Sequence, residues 1–170
     1  MPDPSPGRGA LRQSPVDGVA MRQTLRFIGL DAPEYAQELD LRWRILRKPL
    51  GFERHAVQFP FEEESLHLVA LDGGRVVGCV LFHPDGPGTG RLFQMAVEPD
   101  RQGTGLGTRL VRALEEELVR RGFREVTLHA RDTAVGFYAR LGYSPVGPPY
   151  VEVGIPHQNM RRPLEPDRGA

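Results

Sequence analysis

The stretch QMAVEPDRQGTGLGTRLV, Gln94 to Val111, starts as an uncharged strand-like run, turns a charged corner, passes three alternating glycines and enters a helix. Leu106, Leu110, Leu114 and Leu118 recur every four residues along that helix and define one apolar face. A helix N-terminus carries about half a positive charge and several unpaired N–H groups. Glycines at Gly103, Gly105 and Gly107 let an anion approach that backbone with no side chain in the way. The segment therefore reads as an anion cradle between a strand and a helix. A bare Gly-x-Gly describes a plain turn equally well, so the neighbouring segments must decide.

Downstream, REVTLHA (Arg124 to Ala130) alternates as a strand, and Gly122 closes the preceding helix. TAVGFYARLG is a short helix ending at Gly142, and Tyr143 to Pro163 supplies one or two terminal strands with proline-rich turns. Upstream, RLFQMAV leads into the corner as a third strand. Before it, SLHLVALD and RVVGCVLFHP flank Gly73 and Gly74 as a hairpin, with Gly78 marking a bulge. TLRFIGL (Thr24 to Leu30) is a strand. The helix that follows starts with Asp31 as N-cap and Glu34 three residues later and ends near Lys48. Phe52 to Glu64 has no clean period and reads as a loop or short helix over a site. The order β-α-β-β-β-α-β-α-β predicts an α+β fold, a mixed and mostly antiparallel sheet around one central β-α-β unit.

The chain of 170 residues fits one domain, expected over residues 21–164, with residues 1–20 as a disordered tail and 165–170 as a C-terminal tail. Met21, just before the first strand, is a candidate start codon. Twenty-two basic and 22 acidic residues leave no overall field to draw the chain onto nucleic acid or membrane. Cys79 is the single cysteine, so neither an internal disulfide nor a multi-cysteine zinc site is open to it. With no long apolar run and no metal-ligand spacing, a cytoplasmic, metal-free protein is expected.

Two familiar phosphate loops fail the sequence. A Walker A loop ends in Gly-Lys-Ser/Thr, and no lysine stands here. A dinucleotide fingerprint needs glycine or alanine at its sixth place, which counted from Gly103 is Thr108, and its strand runs almost directly into the glycines, whereas Glu98 to Gln102 intervene. Gln102-Gly103-Thr104-Gly105-Leu106-Gly107 instead fills the Gln/Arg-x-x-Gly-x-Gly/Ala pattern of the GNAT superfamily of acyl-CoA-dependent N-acyltransferases, which this sequence resembles. The strand QMAV before the loop and the later helix AVGFYARLGY with its tyrosine add to the likeness, which spans roughly Thr24 to Leu164.

The resemblance implies an acetyl-CoA-dependent N-acetyltransferase whose loop, Gln102 to Thr108, cradles the pyrophosphate of coenzyme A. It also implies that the backbone of Met95, Ala96 and Val97 pairs with the pantetheine arm, an N–H near Val97 polarising the thioester carbonyl. Acyl transfer to an amine expels a thiolate, and Tyr138, at the family's tyrosine position, is the implied general acid. Arg131 stands where the family often carries an asparagine that bonds the pantetheine arm, so it contacts phosphate or faces solvent. The amine must lose a proton, for which Glu152 and His157 are the candidates; a similar Glu…Gly-Ile-Pro-His segment occurs in small bacterial members.

Glu98 is a rival base that fits better as an organiser of the corner. His129 faces either the groove or solvent, and His55, His67 and His83 carry no pattern. Cys79, mid-strand, reads as a core residue. The acceptor is a small-molecule or peptide amine that Glu62, Glu63 and Glu64 could attract, unless that run is a solvated face. A non-catalytic acyl-CoA-binding or regulatory domain remains the alternative, as does assembly into a homodimer.

Overall fold

The computed structural model describes residues 23–166; the expected tail of residues 1–20 and residues 167–170 lie outside them. Seven strands form one sheet: β1 (Gln23–Ile28), β2 (Leu66–Asp72), β3 (Arg75–Gly86), β4 (Thr89–Val97), β5 (Glu125–Arg131), β6 (Ser144–Glu152) and β7 (Ile155–Pro163), in the spatial order β1-β2-β3-β4-β5-β7-β6. All neighbours are antiparallel except β4 and β5, whose chain direction is restored by the crossover helix α2 (Leu106–Arg120). The α+β architecture expected from the alternation of periods is the one observed.

Each face of the sheet has its own core. Alternation along β5 sends Val126, Leu128 and Ala130 to one face, where they meet Leu106, Leu110, Leu114 and Leu118 of α2 and Tyr138 of α3 (Val135–Arg140). The opposite face carries Val69, Leu71, Cys79, Leu81 and Phe93 under Leu41 of α1 (Glu34–Arg42). The hairpin turns at Gly73 and Gly74 as read. Its bulge falls at Val77, with Ala70 opposite Gly78 and Leu71 opposite Val76. Gly78 beside it lies beneath Leu110 and Leu106, which a Cβ would meet at 3.0 and 3.3 Å.

The first helix departs from its sequence reading. Pro33 is the N-cap, Asp31 makes no capping hydrogen bond, and α-helical geometry stops at Arg42. A π turn (Trp43–Arg47) and a 3₁₀ turn (Lys48–Leu50) carry the chain on to Gly51 at φ +82°. The reason lies in packing. Arg42 is completely buried and its guanidinium holds Glu38 and Glu62 at 3.1 and 2.7 Å, so the turn after it adapts to a fixed anchor. Glu62, read as part of an exposed acidic run, is thereby a core residue. No helix among the described residues is long and apolar enough to cross a membrane.

Candidate active site

β4 and β5 pair only at Thr89–Arg91 with Glu125–Thr127 and then part. A bulge in β4 drives the separation. Between the pairs Leu81–Phe93 and Cys79–Ala96 the fourth strand carries one extra residue, and Gln94 there adopts φ +52°, a conformation non-glycine residues rarely take. Side chain and backbone of that residue are each held from below. The Arg42 Nε donates to Gln94 Oε1 (3.3 Å) and the Cys79 thiol to the Gln94 carbonyl (3.4 Å).

Behind Arg42 stands a buried polar knot. Glu62 accepts from Arg42 and from the Tyr35 hydroxyl (2.7 Å), and Glu38 bonds His67 Nδ1 at 2.9 Å. Burial opposes the Glu62 charge, yet the Arg42 hydrogen bonds hold its carboxyl below the usual range. Burial also pulls the His67 imidazole down, but Glu38 outweighs it and leaves the ring above its ordinary value. Glu38, Glu62 and His67 present ligand atoms within 4.8 Å of one another, and the Arg42 guanidinium supplies positive charge among them. His67, without pattern in the sequence, belongs to this core.

The fork between β4 and β5 opens a cavity of about 760 Å³. Met95, Ala96, Val97, Gln102, Gly103, Gly105, Gly107 and Thr108 line one part of it. Here α2 begins at Gly105 (φ +85°) with no side-chain cap and no acidic residue in its first turn. Gly103 (φ +75°) and Gly105 would each project a Cβ into open space. Uncapped N–H groups, glycines and an empty approach are what an anion needs, so the residues present fit the diphosphate of a coenzyme A. Two members of the loop offer only backbone: Leu106 is buried in the core, and the Thr104 hydroxyl donates to the Arg101 carbonyl (2.5 Å). Gln102 turns back as well, its Nε2 donating to the Val97 carbonyl (3.0 Å).

Tyr138 lines the same cavity from α3 and is only 6% exposed. Phe137 and Tyr143 hold its ring edge-on at centroid distances of 5.0 and 5.7 Å, and burial raises its phenol well above the ordinary value. Glu152 and His157 arrive on the β6–β7 hairpin. His157 Nδ1 lies 2.8 Å from the Ile155 carbonyl, so Nδ1 is the nitrogen that donates there, and Nε2 is left on the side of Glu152. Glu152 Oε2 stands 3.9 Å from that Nε2 and 3.8 Å from His129 Nδ1, too far for direct hydrogen bonds and close enough for a shared guest.

His129 thus faces the groove, the first of the two options its strand position allowed. Its ring is pushed below the ordinary value by burial and by Arg91. Arg131 also lines the cavity and donates to the Leu46 carbonyl across the cleft (2.9 Å). Arg47 and Arg91, singled out by no motif, line it too. Alternation could have found three of these four, since Arg91 sits two residues before Phe93, and His129 and Arg131 share a face of β5. Glu98 is drawn away: Arg44 holds it at 2.6 Å, with Arg75 at 3.4 Å, and that pairing keeps its carboxyl below the usual range. Cys79 is fully buried, and burial raises its thiol.

A family model described as an acetyltransferase (GNAT) domain matches residues 49–164. An uncharacterized acetyltransferase of Streptococcus pyogenes serotype M1 is 30% identical over 103 residues, covering 61% of this chain and 72% of that protein. A candidate N-acetyltransferase of Lactobacillus plantarum superposes with a TM-score of 0.76 at 23% identity, over 84% of this chain and 99% of its own. An aminoglycoside 6'-N-acetyltransferase solved in complex with coenzyme A gives 0.71 at 21% identity, over 86% and 99%. At those identities the two structures speak for the fold, while the matched model reaches from the end of the first helical segment through the last strand. The chain belongs to the GNAT family of acetyltransferases.

Proposed function

We propose that the protein transfers an acetyl group from acetyl-CoA to a primary amine, both substrates being bound together. The observation that carries this is the forked sheet: one cavity joins an uncapped, glycine-flanked helix start to Tyr138, Glu152 and His157. Backbone N–H groups from Gly103 to Thr108 would hold the diphosphate, and β4 from Met95 to Val97 would align the pantetheine arm. The acetyl thioester supplies the electrophilic carbon.

Glu152 and the Nε2 of His157 would seat the incoming ammonium and take its proton, which leaves the nitrogen lone pair free to attack. As the new C–N bond forms and the C–S bond breaks, Tyr138 would give its proton to the departing sulfur. Burial raises the Tyr138 phenol above its ordinary value, so the proton is held on the oxygen until the thiolate develops. Cys79 is fully buried and its thiol donates to the Gln94 carbonyl, which does not favour a covalent acyl-cysteine route. Much of the rate advantage would come from alignment in the fork.

The test is free-thiol release from acetyl-CoA with an amine panel, comparing wild type with Tyr138→Phe. Loss of about 10²-fold in kcat, with acetyl-CoA affinity retained, supports the assignment. Unchanged kcat under chemistry-limited conditions removes Tyr138 as the acid. No turnover with any amine, despite tight acetyl-CoA binding, would favour a non-catalytic acyl-CoA-binding domain.

A further inference from the structure

The two faces of the sheet separate the two charged ends of the cleft. Leu92, Val126, Leu128, Ala130 and Met160 point to the face covered by α2 and α3, and the glycine loop leads into α2. Strand alternation therefore puts Arg91 on β4 and His129 and Arg131 on β5 on the other face. Register carries His157 there as well, since it pairs with Arg131. The Leu46–Arg47 segment after α1 closes over this side, tied by the Arg131 hydrogen bond to the Leu46 carbonyl.

Arg47, Arg91 and Arg131 all line the cavity, and none has a carboxylate within 4 Å among the described residues. Most of the other described arginines differ. Arg26, Arg42, Arg44, Arg101, Arg112 and Arg162 each have such a partner. The Nε atoms of Arg47 and Arg91 are moreover buried with no hydrogen-bond partner at all. Buried donors left unmade are costly, and guanidinium forks match carboxylate and phosphate geometry. Burial lowers the Arg47 guanidinium, and repulsion from the neighbouring Arg131 and Arg42 adds to it, with the attraction of Glu152 opposing them.

Resting on the acetyl-transfer reading, we propose that these arginines receive a carboxylate or phosphate carried by the acceptor itself, making the substrate an anion-bearing primary amine. The pyrophosphate of the cofactor is a poor claimant, because its loop leads into α2, which packs on the other face of the sheet. Glu152, between His129 and His157, takes the ammonium end, so the site has one pole for each charge of an amino-acid-like or aminophosphate molecule. The glutamate run Glu62 to Glu64, which the sequence left as either a lure for a cationic amine or a solvated face, has its first member spent on Arg42.

Thiol release at saturating acetyl-CoA over matched pairs tests this: phenylalanine against phenylalaninamide, lysine against cadaverine, O-phosphoethanolamine against ethanolamine, with spermidine and kanamycin as polycations. The expected result is at least a tenfold higher kcat/KM for the anionic member of one or more pairs. Arg91→Gln should raise KM for that acceptor at least tenfold while the KM for acetyl-CoA stays unchanged. Arg47→Gln replaces it if the first variant does not fold. Equal or better turnover of the neutral and cationic members overturns the proposal. So does an unchanged acceptor KM in both variants, or no turnover of any anionic amine by a protein that binds acetyl-CoA in calorimetry. Failure to bind acetyl-CoA at all would instead remove the acetyl-transfer reading, and the acceptor class with it.

Discussion

Gly105→Ala separates strain from recognition, because a matched control exists within the same molecule. Gly105 and Gly74 share φ +85°, and a Cβ at either meets nothing within 4 Å. Placing an L-side chain in that left-handed conformation costs about 1–2 kcal/mol at either site, a fall in Tm of roughly 2–8 °C for a domain of this size. Only Gly105 lines the cleft. There the methyl group would stand in the anion's approach to the N–H groups that begin α2, and losing one hydrogen bond to a charged group is worth about 1.5–3 kcal/mol, or roughly 10- to 150-fold in affinity. Calorimetric titration of acetyl-CoA into wild type, Gly105→Ala and Gly74→Ala, with a melting curve for each, decides it. The expected outcome is two similar melting shifts and one affinity loss. Wild-type affinity in Gly105→Ala, or an equal affinity loss in Gly74→Ala, would refute the placement of the phosphates at this loop.

If Glu152 or His157 carries the amine's proton, Glu152→Gln and His157→Asn should lose most rate at low pH and regain part of it as pH rises and more amine is already neutral; equal loss across pH with a lower Tm would make them structural. Arg42→Met should cost about 3–5 kcal/mol in urea denaturation, because it strands two buried carboxylates; a loss below about 1 kcal/mol would mean the knot is dispensable. Stability should also fall on both sides of a pH window. The Glu62 contribution is present above its unfolded value of 4.5 and is lost as pH falls through its lower folded value. The His67 contribution is complete below 6.5 and fades as pH rises through its higher folded value, and His67→Gln should abolish that alkaline limb alone.

Strong local signals were legible. Four leucines at one spacing announced α2, two glycines the β2–β3 turn, and the glycine corner the cleft. What stayed hidden depends on partners distant in sequence. Arg42 and Glu62 look like surface residues until the fold sets them 2.7 Å apart, and the run containing Glu62 then ceases to be a solvated face. The true bounds of α1 were obscured for the same reason: Asp31 offers a cap that the fold does not take up, and the buried Arg42 marks where α-helical geometry stops. Arg47, Arg91, His129 and Arg131 come from three segments that converge only once β4 has bulged, and Gln94 bears no mark of its positive φ.

Strand β7 lies between β5 and β6, although it follows both in the chain. During synthesis β5 therefore leaves the ribosome with one edge bare, and at about 5–20 residues per second it waits seconds for the segment that covers it. The nascent molecule passes through a state with an open, partly apolar sheet edge, the kind that invites pairing with other chains. His157 is delivered with that same closing strand. Relief from aggregation and assembly of the second wall of the cleft are then one event, and a ribosome that stalls after Gly142 would leave a chain that exposes its edge and lacks that wall.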